Sequence, residues 1–236
     1  MASSATTPHS CATADAQPAP ARRAHCAVCL RPARTCICAA VRRVHLERTQ
    51  VLVLMHPEEA GHAKGTGRLL HLCLAESRLL VGDAFEQDAL SSALFGPWCS
   101  RDERTPPRAA LLYPQTPERP ADIIDVAAPA GGAAPDRLRL VVLDATWRKS
   151  RQMLSAHPAL QALPRLPLTQ VPTSRYAIRK AHAAHQLSTL EATACAVSLI
   201  EPDAAPVNAL QESMDAFVAL HRPFWPHAAS PRPTEP

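Results

Sequence analysis

The sequence predicts a mixed α/β fold built on a mostly parallel sheet. Two runs, Thr49–Met55 and Arg137–Asp144, hold the long apolar stretches expected of strands buried on both faces. Segments with helical spacing alternate with such runs along the chain, the arrangement that produces parallel sheets. At 236 residues and 47% hydrophobic, the chain can bury one sizeable core with a small appended module.

Residues 1–23 are rich in Ala, Ser, Thr and Pro and show no periodicity, so a flexible tail is expected there. The cysteine-rich stretch 24–45 follows, and Thr49–Met55 is the first buried strand. Gly67–Glu76 carries helical spacing in Leu69, Leu70, Cys73 and Leu74. Arg78–Val81 and Ala109–Tyr113 are expected short strands, the second stopped by Pro114. Arg137–Asp144 is a further strand, and Trp147–Ala156 a helix that ends before Pro158. Leu166–Val171 is expected to form the last strand. Leu187–Glu201 is a helix opened by the capping-box pattern Ser188-Thr189-Leu190-Glu191 and stopped at Pro202. A final helix, Ala209–His221, precedes Pro223. Residues 225–236 contain four prolines and form a second loose tail.

Composition excludes several classes. No apolar run nears the ~18–20 residues that cross a bilayer, so no membrane partner is expected. No basic segment followed by an apolar stretch opens the chain, so the expectation is a soluble, cytoplasmic protein without a secretory signal. Neither G-x-G-x-x-G nor a P-loop is present: Gly65-Thr66-Gly67 runs into Arg68-Leu69-Leu70. A nucleotide-like ligand must therefore be held by another kind of loop.

The net charge of +4 is unevenly placed. Arg139 to Lys180 carries eight Lys or Arg against one acid, and Arg22 to Arg48 seven Arg against one Glu. The stretch between, Val81 to Asp136, has nine acids and four Arg. Two basic regions around an acidic one point to a polyanion on one face, or to ordinary solvated helices.

Four of the eight cysteines fall in the pattern Cys26-x2-Cys29-x6-Cys36-x-Cys38. In a reducing compartment such a cluster indicates metal rather than disulfides. Four thiolates can close a tetrahedron on Zn2+, which would stabilise a segment too short to rely on burial. Unliganded thiols and an iron–sulfur cluster are the alternatives. Cys73 and Cys195 sit on apolar helix faces and are expected in the core.

Leu140-Val141-Val142-Leu143 leads into Asp144-Ala145-Thr146-Trp147. Polar residues at the carboxyl end of a parallel strand are where α/β proteins place their chemistry. A carboxylate there can take a proton or orient a cation. Equally, Asp144 or Thr146 can cap the following helix. Trp147 can stack on a base or fill the core behind the strand.

Three further segments complete a pattern. They are His56-Pro57-Glu58-Glu59 with Lys64-Gly65-Thr66-Gly67-Arg68; Leu111-Leu112-Tyr113-Pro114; and Ser174-Arg175-Tyr176-Ala177-Ile178-Arg179-Lys180 with Leu187-Ser188-Thr189-Leu190-Glu191-Ala192. With the cysteine cluster and Asp144–Trp147, the set resembles the DTW-domain family, the tRNA-uridine aminocarboxypropyltransferases, over roughly Cys26 to Pro223. One departure is the stretch Lys64–Arg68, which is shorter than the family's usual form and has Gly where Asn is common.

The resemblance implies a SPOUT-like sheet over 46–224 with a C-terminal trefoil knot that binds S-adenosylmethionine. It implies transfer of the 3-amino-3-carboxypropyl group from that co-substrate to N3 of a tRNA uridine, in the variable loop in bacterial members, with release of methylthioadenosine. On this resemblance Asp144, Thr146 and Trp147 are the expected catalytic residues. Leu112, Tyr113, Pro114, Asp144, Ser174 and Tyr176 are expected at the cofactor. His56, Lys64, Arg68, Arg175, Arg179 and Lys180 are expected at the tRNA. Glu191 is read as a helix cap rather than a cofactor contact, and Arg148, Lys149 and Arg151 as helix surface. Other readings are a SPOUT-type RNA methyltransferase and a zinc-bearing RNA-binding protein without catalysis. Members of the SPOUT class often form homodimers, a state on which the residues themselves are silent.

Overall fold

A computed structural model describes residues 24–100, 102, 106–116, 120–126, 137–176 and 186–224. Both expected tails, and Arg179 and Lys180, lie outside the described residues. In chain order the elements are β1 (Thr49–Met55), α1 (Pro57–Ala60), α2 (Gly67–Cys73), β2 (Ser77–Val81), α3 (Gln87–Phe95), β3 (Arg108–Leu111), β4 (Leu138–Asp144), α4 (Trp147–Ala156), α5 (Pro158–Gln161), α6 (Thr189–Ile200) and α7 (Ala205–His221).

The four strands form one parallel sheet in the order β2-β1-β4-β3. The central strands are apolar on both sides because both sheet faces are covered, as the sequence predicts. Val51 and Val53 of β1, with Leu140 and Val142 of β4, pack under α2, α6 and α7. Leu52 and Leu54, with Val141, pack against α3, α4 and α5. The result is three layers, helices on each side of the sheet.

Local chemistry explains most helix limits. The capping box at α6 is complete: Ser188 Oγ accepts from the Glu191 N–H at 3.3 Å, and Glu191 Oε2 accepts from the Ser188 N–H at 2.8 Å. Helix α2 stops at Cys73 rather than Glu76, because Leu74 turns extended and bridges to Val44. Helix α7 starts at Ala205, earlier than Ala209, since Pro206 fits the first turn of a helix.

The expected strand Leu166–Val171 does not form. Arg165 makes single bridges to Leu111 and Ile123, and the Leu166 N–H donates to Leu111 O at 2.9 Å. Arg165 turns its own N–H and carbonyl to Asp122 O and the Ile124 N–H, so the N–H that Pro167 lacks is the next donor on that side, and no pairing continues past Leu166. The chain then crosses the carboxyl ends of the strands to reach Ser174, which meets Glu191 of α6, and Tyr176, which meets Lys64. The cysteine segment does not stand apart: Cys29, Ile37 and Ala40 join the core beneath α7. No helix among the described residues is long and apolar enough to cross a membrane.

Candidate functional site

Strands β1 and β4 lie side by side, with Met55 opposite Asp144. Helix α2, which comes after β1 and the short α1, covers one face of the sheet, and α4, which follows β4, covers the other. Chains diverging in this way open a crevice at the carboxyl ends of the strands. Asp144 is the last residue of β4, and its carbonyl accepts from the His56 N–H at 3.0 Å.

The Asp144 side chain points to the α2/α6 face, as do Leu140 and Val142. It is 4% exposed. Its Oδ1 accepts from Thr189 Oγ1 at 2.6 Å, a short bond of the charge-assisted kind. On its other side lies the start of α2. A Cβ on Gly67 would stand 2.5 Å from Asp144 Cγ and closer still to Oδ2, so only glycine lets the start of α2 come this close to the carboxylate. The bond to Thr189 ties the end of β4 to the start of α6. Thr146 is the N-cap residue of α4 yet gives it no side-chain bond.

Beside this buried carboxylate runs an open cleft. Its two lobes, of about 550 and 440 Å3, share Leu112, Tyr113, Pro114, Trp147, Leu187 and Ala192, and Thr146 lines one of them. These volumes fall in the range of small-molecule sites, and the lining is mainly apolar. Trp147 is 55% exposed at the mouth, so it is not the core residue that its place behind the strand also allowed. Its ring meets Tyr113 edge to face, with centroids 5.8 Å apart. Tyr113 is fixed in turn by Ser150 Oγ at 3.3 Å and by the Arg165 guanidinium, 5.0 Å from its ring centre. Arg165 also donates to Pro114 O at 2.9 Å, which pins the β3 end of the cleft.

Asp144, Ser174 and Tyr176 do not line the cleft. Ser174 Oγ donates to the Glu191 carboxylate at 3.0 Å, and the Arg175 N–H donates to Glu191 Oε1 at 2.7 Å, so Glu191 caps the helix and anchors the crossing segment together. Tyr176 is buried, packs on Phe217, and donates its hydroxyl to Lys64 O. His56 Nδ1 accepts from the Glu58 N–H at 3.2 Å and caps α1.

The basic stretch is less available than its charge implies. Arg139 and Arg165 are 0% and 1% exposed. Arg139 binds Gln50, Asp102 and the carbonyls ending α3, with its guanidinium 4.2 Å from the Trp98 ring centre. Lys149 is not helix surface: it is buried and pairs with Glu58, which it holds below the usual carboxylate range. Arg175 pairs with Asp215 at 2.7 Å. Arg148 and Arg151 stay exposed beside the cleft. Local charge counting failed here because buried guanidiniums that bind carbonyls look the same in sequence as solvated ones.

The cysteine cluster is brought together. The sulfurs of Cys26, Cys29, Cys36 and Cys38 all lie within 4.8 Å of one another, with Cys26–Cys38 and Cys29–Cys36 each at 3.6 Å. Zn–S bonds of about 2.3 Å in a tetrahedron put sulfurs about 3.8 Å apart, so the four fit a single ion. A polynuclear iron–sulfur cluster would place its own atoms between the thiolates and spread them further. The Cys29 and Val28 N–H groups pull the Cys26 thiol down to about 6, while burial pushes Cys38 up to about 12. Leu30, with φ of 59°, makes the tight turn after Cys29.

Three residues at the site escaped the reading of the sequence. Thr189 looked like part of a capping box. Gly67 looked like half of a failed fingerprint, although two glycines before a helix in a glycine-poor chain were a usable signal. Arg31 gave no signal at all. It is 8% exposed and donates to Ala63 O and Gly65 O, each at 2.6 Å.

The chain is 29% identical over 185 residues to tRNA-uridine aminocarboxypropyltransferase 2 of Drosophila melanogaster, covering 77% of this chain and 68% of that one. It is 26% identical over 197 residues to tRNA-uridine aminocarboxypropyltransferase 2 of Mus musculus, covering 82% and 60%. It is 28% identical over 149 residues to tRNA-uridine aminocarboxypropyltransferase A of Arabidopsis thaliana, covering 60% and 54%. The chain thus spans between about half and two thirds of the length of these relatives. No solved structure matches. A family model for the DTW domain matches residues 23–222, from the cysteine cluster through both sides of the cleft to the end of α7, and the chain belongs to the DTW-domain family.

Proposed function

We propose that the protein transfers the 3-amino-3-carboxypropyl group of S-adenosylmethionine to N3 of a tRNA uridine: the bond from the methylene to the sulfonium sulfur breaks, methylthioadenosine leaves, and the N3 proton passes to solvent. The observation that carries this reading is the apolar cleft between Trp147 and Leu187 at the carboxyl ends of β3 and β4, with the Asp144 carboxylate buried behind it. The names of the relatives support it. Bound there, S-adenosylmethionine supplies an electrophilic methylene next to a sulfonium.

Leu112, Tyr113, Pro114 and Trp147 form the adenosine slot, where aromatic and apolar side chains exclude water. Displacement needs the nucleophile in line with the leaving sulfur, so orientation dominates the work of the protein. Asp144 serves as the orienter in this reading: through Thr189 it fixes the start of α6, and against Gly67 it fixes the start of α2. Ser174 and Tyr176 act one step back, holding Glu191 and the Lys64 carbonyl. Thr146 lines the cleft itself. For tRNA, His56, Lys64, Arg68, Arg175, Arg179 and Lys180 are joined by Arg148 and Arg151, whose exposure suits phosphate contacts.

The same reading gives the cysteine cluster a structural Zn2+ in a 24–45 module. It gives 46–224 the knotted SPOUT topology, which the crossing of residues 165–176 over the strand ends supports, and it places the protein in the cytoplasm, where thiolates stay reduced. Incubation of the protein with tRNA and S-adenosylmethionine, followed by nucleoside mass spectrometry, is expected to show uridine carrying an aminocarboxypropyl mass. A methyl mass would overturn the reaction, and tRNA binding without any product would overturn the enzyme.

A further inference from the structure

Three consecutive carbonyls, those of Ala63, Lys64 and Gly65, are each held by a side chain from elsewhere in the chain. Arg31 takes Ala63 O and Gly65 O, at 2.6 Å each, in a two-pronged grip. Tyr176 takes Lys64 O. The next residue, Thr66, accepts from the Leu190 N–H through its Oγ1 at 3.2 Å, and Gly67 then faces the Asp144 carboxylate. The loop that opens α2 is thus clamped, and its last residue sets the room that Asp144 has.

Arg31 belongs to the cysteine turn. Its carbonyl accepts from the Cys26 N–H at 2.8 Å, and the Cys26 carbonyl accepts from the Leu30 N–H at 2.9 Å, which closes the turn. Its side chain leaves that turn, passes 5.4 Å from the centre of the Phe217 ring, and ends at the loop. Burial lowers its pKa, the Cys29 sulfur opposing, yet a guanidinium remains charged at neutral pH. A planar fork suits two carbonyls two residues apart, and a lysine has only one nitrogen to offer.

We infer that Arg31 is a positioning residue that couples metal occupancy at Cys26, Cys29, Cys36 and Cys38 to the geometry of Gly67 and Asp144. The metal ion holds the turn, the turn holds Arg31, and Arg31 holds the loop. The cysteine module therefore acts on the active centre as well as on stability. The activity arm of the test rests on the transfer reading above; the exchange arm does not.

The experiment compares the full-length, zinc-loaded protein with Arg31→Met and Arg31→Lys by peptide-level hydrogen exchange, before and after removing the ion with a chelator. Zinc content is expected to be unchanged in both variants. Exchange of the Gly65 amide, bonded to His62 O at 2.9 Å, is expected to speed up at least tenfold in Arg31→Met and by an intermediate amount in Arg31→Lys. Chelation is expected to loosen the same loop in the wild type and to add little in Arg31→Met, since the link is already cut. In the transfer assay, kcat is expected to fall at least tenfold with KM for S-adenosylmethionine nearly unchanged. Wild-type exchange rates in Arg31→Met would overturn the inference. So would chelation loosening the loop equally in wild type and variant. Should Arg31→Met fail to fold, Arg31→Lys carries the same comparison. If the wild type makes no aminocarboxypropyl product, the transfer reading fails while the exchange result still decides the coupling.

Discussion

Replacing Thr189 by Val removes one hydroxyl and little else. The two side chains have nearly the same shape, so no cavity opens and the apolar contacts at the start of α6 survive. What is lost is the 2.6 Å bond to Asp144 Oδ1, made to a carboxylate that is 4% exposed. A hydrogen bond to a charged group is worth about 1.5–3 kcal/mol net. If Asp144 holds the reacting partners in line, that energy appears in the barrier, and about 1.4 kcal/mol per factor of ten converts it to a kcat loss of about 10- to 100-fold. Thr189→Ser keeps the donor and is expected to stay within a few-fold of the wild type. The assay is single-turnover transfer to tRNA at saturating S-adenosylmethionine, with a urea melt alongside to show that both variants fold. Wild-type single-turnover rates in Thr189→Val would show that the Thr189–Asp144 bond plays no part in orienting the reaction, and the orienter assignment would fall.

Gly67→Ala drives a methyl into the Asp144 carboxylate, so transfer is expected to drop more than tenfold while tRNA affinity holds; normal activity would mean the close approach is dispensable. Trp147→Ala removes the exposed ring at the cleft mouth and is expected to weaken S-adenosylmethionine binding about tenfold by calorimetry, in line with a stacking contribution of about 1–3 kcal/mol. Cys36→Ser is expected to lose the metal and lower the melting temperature, both read directly by elemental analysis and calorimetry. Asp102→Asn removes the carboxylate that the buried Arg137 and Arg139 share, leaving Arg137 only Glu76 at 3.6 Å, and is expected to cost about 3 kcal/mol in urea unfolding at pH 7. Burial alone would raise the Asp102 carboxyl. Hydrogen bonds from Gln50 and the Trp98 N–H, together with the charge of Arg137, outweigh it and hold the pKa below the usual range. Its contribution is therefore present above about pH 4, the unfolded value, and lost as pH falls through the folded one, so the gap between wild type and variant is expected to narrow below about pH 4.

Elements whose signal is local were legible in the residues. Thr49–Met55 and Trp147–Ala156 have the limits that their apolar patterning predicts, because burial of both faces and a stop before Pro158 are written in adjacent residues. The box from Ser188 to Glu191 and the four cysteines were legible for the same reason: fixed short spacings carry their chemistry. Which charges are available and what Asp144 touches depend on contacts that form when the chain folds. Arg139 and Arg165 vanish into the interior because carbonyls and carboxylates distant in sequence meet them there. Leu166–Val171 failed as a strand because Pro167 offers no donor to continue the pairing of Arg165 with the Asp122–Ile124 segment. Asp144-Ala145-Thr146-Trp147 could be placed at a strand end from sequence. That its carboxylate turns inward to Thr189 and Gly67, while its Trp turns outward to the cleft, depends on contacts 45 and 77 positions away that no local pattern encodes.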